Sequence, residues 1–256
     1  MSGNPVLNDR RFTTIATTVP STERMTIEGA IQRSLILFGV LIFSSMLCFM
    51  AYAALDGGTI GGAGTGLASL AALVGGIGGF VLILVLAFMR PKGTPTVAMS
   101  AYVVLEALFL SGLTYLMEAA YPGISLQAGL VTIGITGSMV ALYTSRAIRV
   151  GPRFNMIVGA LVMTVMFVYA AQLILWLVAG MTIPLIHGSG VIGIGFSIII
   201  IGIATLTLLS DFYFIEEGAK QGYPKHMEWW AAFGLVISVV WIYIEVLRLI
   251  AKLRSD

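Results

Sequence analysis

Seven stretches of the chain are long and apolar enough to cross a lipid bilayer as helices. A membrane-spanning helix needs about 20 mainly apolar residues. Only 10% of the residues are charged, whereas about 25% is usual in a soluble domain. The sequence therefore predicts an all-α, polytopic integral membrane protein with one seven-helix membrane domain, whose spans are about 35–55, 66–89, 97–117, 123–144, 157–179, 190–210 and 229–250.

Most basic residues fall on one side of this seven-span arrangement. All but three of the 14 Lys and Arg residues lie in segment 1–33 or in the connections after spans two, four and six. Cytoplasmic loops are enriched in Lys and Arg, so we expect this side to be cytoplasmic and segment 1–33 to be a polar cytoplasmic tail. The exceptions, Arg248, Lys252 and Arg254, lie at or just beyond the end of span seven, which leaves a partly inserted last segment as the alternative to full spanning.

The residue types inside the spans argue against several classes of membrane protein. His187 and His226 are the two histidines and neither lies in a predicted span, so an intramembrane zinc protease would have no ligand set. No span contains the lysine that a retinal Schiff base requires. No phosphate-binding glycine loop and no set of nucleophile, base and orienting group is recognisable. We therefore expect neither an enzyme nor a bound cofactor.

Two glycines in span two indicate a close helix contact. Gly75 and Gly79 have the four-residue spacing that lets two helix backbones approach each other. We expect tight packing at these positions, with a hinge in a pore as the alternative.

A carboxylate inside a span is the strongest functional signal in the sequence. Glu106 lies about nine residues into span three, which is roughly 14 Å along the helix and near the bilayer middle. A charged side chain at that depth costs about 2.5 to 3.5 kcal/mol on insertion scales, so it normally faces protein or water and marks a functional site. The alternative is a protonated glutamate that only bridges helices.

Two further acids lie nearer the two surfaces of the bilayer, one on either side of Glu106. Asp211 ends span six at the inner boundary, and Glu245 lies toward the outer end of span seven. Arg248, three residues after Glu245, makes a local ion pair an open alternative. Carboxylates at three successive depths could pass a cation from one to the next, because hard cations prefer oxygen ligands. We therefore predict transient Ca²⁺ binding along a path formed by Asp211, Glu106 and Glu245. Asp56, Glu118, Glu216 and Glu217 are expected to be solvated.

The chain from Arg90 onward resembles the Bax inhibitor family of transmembrane Bax-inhibitor-motif proteins, and most closely its actinobacterial branch. The tail that opens with Asn4-Pro5-Val6 also resembles that branch. The residues that carry the resemblance are Ala101–Glu106, Ala119–Ile124, Ala147–Val150, Asp211–Gly218 and, above all, Pro224–Leu235.

This resemblance implies a seven-helix fold with the last helix surrounded by the others, in a bacterial plasma membrane, and a pH-sensitive Ca²⁺ leak. In such proteins an aspartate near the end of helix six pairs with an aspartate in helix seven or with an arginine that ends helix two. Asp211 and Arg90 match the first and third roles, which implies a gating bridge between them. Ser238 stands where the second aspartate is expected, so pH gating near neutrality should be weaker here.

The sequence thus favours a membrane cation leak with proton-sensitive gating, whose candidate path residues are Asp211, Glu106, Glu245 and Ser238. The bilayer, Ca²⁺ and protons are the expected partners. Two alternatives stay open at this point. The bundle can be a non-conducting protein that regulates other membrane proteins in stress or cell-death control, or it can be a proton-coupled transporter of small solutes.

Overall fold

The computed structural model describes residues 24–57, 61–88, 96–181, 183, 188 and 190–255. This part of the chain is helical apart from short turns and one isolated bridge between Arg24 and Pro224. All seven helices are long and apolar enough to cross a membrane, which makes the chain a multi-pass membrane protein. The helices are Ile27–Asp56 (α1), Ala63–Phe88 (α2), Thr96–Ala120 (α3), Ile124–Thr144 (α4), Pro152–Ala179 (α5), Val191–Lys220 (α6) and Met227–Arg254 (α7).

Several helices extend beyond the apolar runs that predicted them. α1 begins at Ile27, inside the segment expected to be a tail, because the Thr26 hydroxyl caps it by accepting a hydrogen bond from the Gly29 amide. α6 continues to Lys220, through a polar stretch that the hydropathy pattern assigned to the next connection. That assignment was wrong because polar side chains of this stretch, Glu216 among them, find partners inside the protein.

The last helix is the centre of the bundle. α7 packs directly on α1, α4 and α6, and its side chains also reach α3 and α5. The Tyr102 ring of α3 meets Phe233 at 4.8 Å between centroids, and the Tyr169 hydroxyl of α5 bonds to Glu245. α2 lies against α3 and α1. Many of the side chains that α7 presents are therefore held inside protein rather than in lipid.

The two basic residues that follow the seventh apolar run reach the starts of other helices. Lys252 is buried, and its ammonium group donates to the Gly193 carbonyl and the Ser197 hydroxyl at the start of α6, both at 2.9 Å. Arg254 donates to the Pro122 carbonyl beside the start of α4. α7 therefore runs from the end of α6 to the level where α6 begins, so it has the full length of a span.

Glycines join α2 and α3, as the spacing of Gly75 and Gly79 predicts. A β-carbon on Gly75 would overlap the backbone of α3 at Leu105 and Phe109, and one on Gly112 of α3 would overlap α2 at Ala68. Gly79 lies beside the Glu106 carboxylate. The two backbones can approach this closely because no side chain separates them.

We expect Gly75→Ala to destabilise the protein, because the added methyl group forces α2 and α3 apart. Gly66→Ala is the matched control, since it lies in the same helix and its added methyl group would meet no side chain or other helix within 4 Å. Alanine favours a helix by roughly 1 kcal/mol over glycine, so Gly66→Ala should be neutral or stabilising. Thermal unfolding in detergent, followed by tryptophan fluorescence, measures both, and equal midpoints would contradict the packing role of Gly75.

Candidate functional site

A buried carboxylate lies between α6 and α7. Asp211 has no exposed surface, and its Oδ2 accepts a hydrogen bond of 2.5 Å from the hydroxyl of Ser238, which is 1% exposed. The neighbouring Ser210 is also fully buried and donates to the Asn155 side chain of α5 at 2.9 Å. Asp211 and Ser210 therefore link α6 to the central helix and to α5, respectively.

Glu106 is the buried carboxylate of α3. It is 7% exposed and interacts with the Tyr102 hydroxyl one turn earlier on the same helix. Gly79 of α2 lies next to this carboxylate, since a β-carbon there would be in van der Waals contact with its Oε2 at 3.4 Å. The side chain therefore lies at the α2–α3 contact.

Asp211 and Glu106 lie at nearly the same depth in the bundle. Tyr102 of α3 meets Phe233 of α7, and Thr114 of α3 bonds to Tyr243 of α7, 129 positions later. These two contacts fix how α3 and α7 are aligned, and they place Glu106 opposite a residue of α7 within one helical turn of Ser238. The predicted order of inner boundary, middle and outer part is therefore wrong for these two acids. Counting from the start of each apolar run ignores that the helices begin at different heights.

Glu245 lies two turns farther along α7 and is tightly bound. It is 1% exposed and pairs with Arg248 at 2.9 Å, the local ion pair that the spacing allowed. The Tyr169 hydroxyl donates to the same carboxylate at 2.8 Å, and Trp241 donates at 3.3 Å. The arginine also donates to Tyr169 at 2.7 Å, so this cluster fastens α5 to the C-terminal part of α7.

The other predicted features of the site are only partly described. Arg90, the predicted bridge partner of Asp211, lies outside the described residues. Within the described ranges, no three His, Cys, Asp or Glu side chains lie close enough together to hold a metal ion. Asp211, Glu106 and Glu245 therefore do not converge on one site, and transient Ca²⁺ binding at each of them stays a prediction.

Two acids expected to be solvated instead cap helices at the end of the bundle where α1 and α3 end. Asp56 is 5% exposed and accepts hydrogen bonds from the Gly64 amide and the Thr65 and Tyr115 hydroxyls. Glu118 accepts from the Gly123 and Ser125 amides at the start of α4. The first amides of a helix lack partners within it, so each carboxylate satisfies donors that the next helix leaves open.

Glu216 is also bound rather than solvated. Arg146, in the loop after α4, donates two hydrogen bonds of 3.0 and 2.7 Å to its carboxylate. Lys220 pairs with it at 2.8 Å, and the Tyr143 hydroxyl donates to it at 2.5 Å. The hydrogen bonds from Arg146 to Glu216, together with the charge of Glu216, raise the pKa of Arg146 above its ordinary value. Glu217 is half-buried and bonds to Lys220, so the cluster ties the end of α6 to the α4–α5 loop.

Sequence reasoning missed Glu228, a fully buried acid at the start of α7. It accepts hydrogen bonds from the Thr26 amide and hydroxyl and forms an ion pair with Arg33. Arg33 in turn lies over the Trp229 ring, 5.4 Å from its centroid. This network fastens the start of α1 to the start of α7. The one sign in the sequence was an acid beside two tryptophans, for which no other reason was evident.

We expect Glu228→Gln to destabilise the protein by about 3 kcal/mol or more, because it leaves Arg33 without its counter-charge in a largely buried place. Glu28→Gln is the control, since Glu28 is exposed in the first turn of α1. Chemical denaturation in detergent micelles measures the two free energies of unfolding. A Glu228→Gln variant as stable as Glu28→Gln would show that the ion pair contributes nothing.

Comparison with known proteins gives a family for this arrangement. The family model described as "Bax inhibitor 1 like" matches residues 4–255, nearly the whole chain. Neither the curated proteins nor the solved structures gave a match.

Proposed function

The chain belongs to the Bax inhibitor 1 like family of membrane proteins, and from that premise we propose that it is a cation leak whose permeant ion is Ca²⁺ and whose gating responds to protons. We also propose that it lies in a bacterial plasma membrane with its N-terminus in the cytoplasm, since the loops at that end carry most of the basic residues.

The observation that carries this proposal is the buried contact between Asp211 and Ser238. A carboxylate with no exposed surface costs free energy in a membrane protein. Here it joins the central helix to α6, so a change in its charge alters a contact between two spans. Glu106 supports the proposal, because it lies at the same depth on the other side of the α3–α7 contact and offers a second set of oxygen ligands.

Protons act on this contact in a definite direction. A hydrogen bond to a charged carboxylate is roughly twice as strong as one between neutral groups. Protonation of Asp211 therefore weakens its bond to Ser238 and loosens α6 from α7. We expect the leak to rise as the pH falls, and the predicted bridge between Asp211 and Arg90 would weaken in the same way.

Glu245 was expected to bind the passing cation, but this proposal gives it a structural role. A cation at its carboxylate would have to displace Arg248 and the donors Tyr169 and Trp241. We assign it to holding the outer part of the bundle together, while Glu106 and Asp211 serve the path.

The test reconstitutes the protein into liposomes loaded with a Ca²⁺ dye and follows Ca²⁺ entry from pH 5 to pH 8. The parent is expected to conduct more at low pH, whereas Asp211→Asn should conduct at a rate that does not change with pH. Glu217→Gln is the control, because it removes one acid of the same helix from a half-buried place. Identical pH midpoints for the parent and Asp211→Asn would contradict the sensing role.

A further inference from the structure

A groove open to lipid runs along the bundle between α1 and α4, which are not in close contact. Its floor is α7, at Leu235, Val239 and Val240, and we call it the α1–α4 groove. The half near the α4–α5 loop has a volume of about 520 Å³ and the other half about 450 Å³, and both are bordered by Phe38. The groove borders α1 from Ile27 to Phe49, roughly 33 Å at the rise of a helix, which is about the thickness of the hydrocarbon layer.

Its lining changes in character from the middle to one end. The middle is formed by apolar side chains such as Leu35, Phe38 and Val140, whereas Arg146 and Glu216 border the end beside the α4–α5 loop. The Arg146 side chain is 70% exposed although it pairs with Glu216. It uses two of its five N–H donors in that pair, so donors are left for a further anion at the mouth of the groove.

The charge near this mouth is positive. Arg146 and Lys220 are balanced by Glu216 and Glu217, but the α4–α5 loop and the first turn of α5 add Arg149 and Arg153. No acid occurs anywhere between Glu118 and Asp211 to offset them. The described part of the chain thus combines an apolar slot at bilayer depth with a cationic mouth at the level of lipid headgroups.

We propose that the α1–α4 groove is a binding site for one anionic phospholipid from the leaflet on the side of the α4–α5 loop. An acyl chain fills the apolar half beside Leu35 and Val140, and the phosphate is bound by Arg146. Basic pockets between membrane helices bind anionic headgroups by this combination of charge and depth. The N-terminal residues 1–23 are a poor match for the groove, because they carry Asp9, Arg10, Arg11 and Glu23. The site does not depend on whether the bundle conducts ions.

The test equilibrates the purified protein with equimolar phosphatidylglycerol and phosphatidylcholine in detergent and counts retained lipids by native mass spectrometry. We expect the parent to retain one phosphatidylglycerol with a preference of about fivefold, and Arg146→Gln to lose that preference. Lys225→Gln, which removes an exposed charge outside the groove at the same end, should keep it.

A second pair of variants separates loss of charge from loss of the slot. Leu35 borders the groove and Ile36 faces away from it, and both are exposed, so tryptophan can be placed at either position. Leu35→Trp should abolish retention of both lipids, whereas Ile36→Trp should bind like the parent. Equal retention of the two lipids by the parent, retention unaffected by Leu35→Trp, or pairs of lipid-free protein copies closed over the groove would each overturn the proposal.

Discussion

Glu106→Gln is expected to reduce Ca²⁺ entry into liposomes by about tenfold or more, because a loss of about 1.4 kcal/mol of ion stabilisation along the path changes a rate by that factor. The substitution keeps the shape of the side chain, its space beside Gly79 and its contact with Tyr102. It removes only the charge that attracts a divalent cation. The initial rate of dye fluorescence per inserted protein gives the effect.

The control for this experiment must lose an acid without losing a proposed path residue. Glu217→Gln does so, because Glu217 is half-buried near the end of α6 and bonds to Lys220 and Gln221 of the same helix end. It should conduct like the parent. A Glu106→Gln variant that conducts within a factor of two of the parent would remove Glu106 from the path and leave it as a bridge between helices.

Ser238→Asp is expected to move the pH midpoint of Ca²⁺ entry upward by about one unit or more. The Ser238 hydroxyl lies 2.5 Å from the Asp211 carboxylate, so an aspartate at position 238 brings two carboxylates into contact. Such a pair shares a proton and loses its two protons at widely separated pH values. The variant would therefore gain a proton-dependent step near neutrality that a serine cannot provide.

Two further variants isolate the cause of this shift. Ser238→Asn places a side chain of nearly the same shape at the contact without a charge, so it should not move the midpoint upward. Ser238→Asp combined with Asp211→Asn has a single carboxylate and should also lack the new step. A shift of equal size in either variant would mean that packing between α6 and α7, rather than a shared proton, sets the pH response.

Hydropathy alone predicted the seven helices, and the spacing of Gly75 and Gly79 predicted a close helix contact but not that α3 is the partner. Both features can be read from the residues of a single helix: the span from the length of its apolar run relative to the bilayer thickness, and the close contact from the spacing of its glycines. The resemblance to the Bax inhibitor family placed Ser238 at the position of the aspartate expected to pair with Asp211, and the Ser238 hydroxyl donates to the Asp211 carboxylate. Hydropathy could not have supplied that pairing.

The partners of the remaining acids could not be predicted, because they lie on other helices. Asp56 and Glu118 cap the helices that follow them, and Glu216 and Glu228 bind arginines far away in sequence. A loop position and a polar residue type are equally typical of a solvated acid. The relative depths of Glu106 and Asp211 were also out of reach, since hydropathy gives the length of each span but not the height at which its helix packs.

We propose that buried carboxylates of α3 and α6 carry Ca²⁺ through the bundle. The most direct measurement compares Ca²⁺ entry into dye-loaded liposomes that hold the parent, the double variant Glu106→Gln with Asp211→Asn, or no protein. We expect rapid entry with the parent and entry at the protein-free rate with the double variant. Equal rates with the parent and the double variant, or a folded and inserted parent no faster than protein-free liposomes, would contradict it and favour a non-conducting regulatory protein.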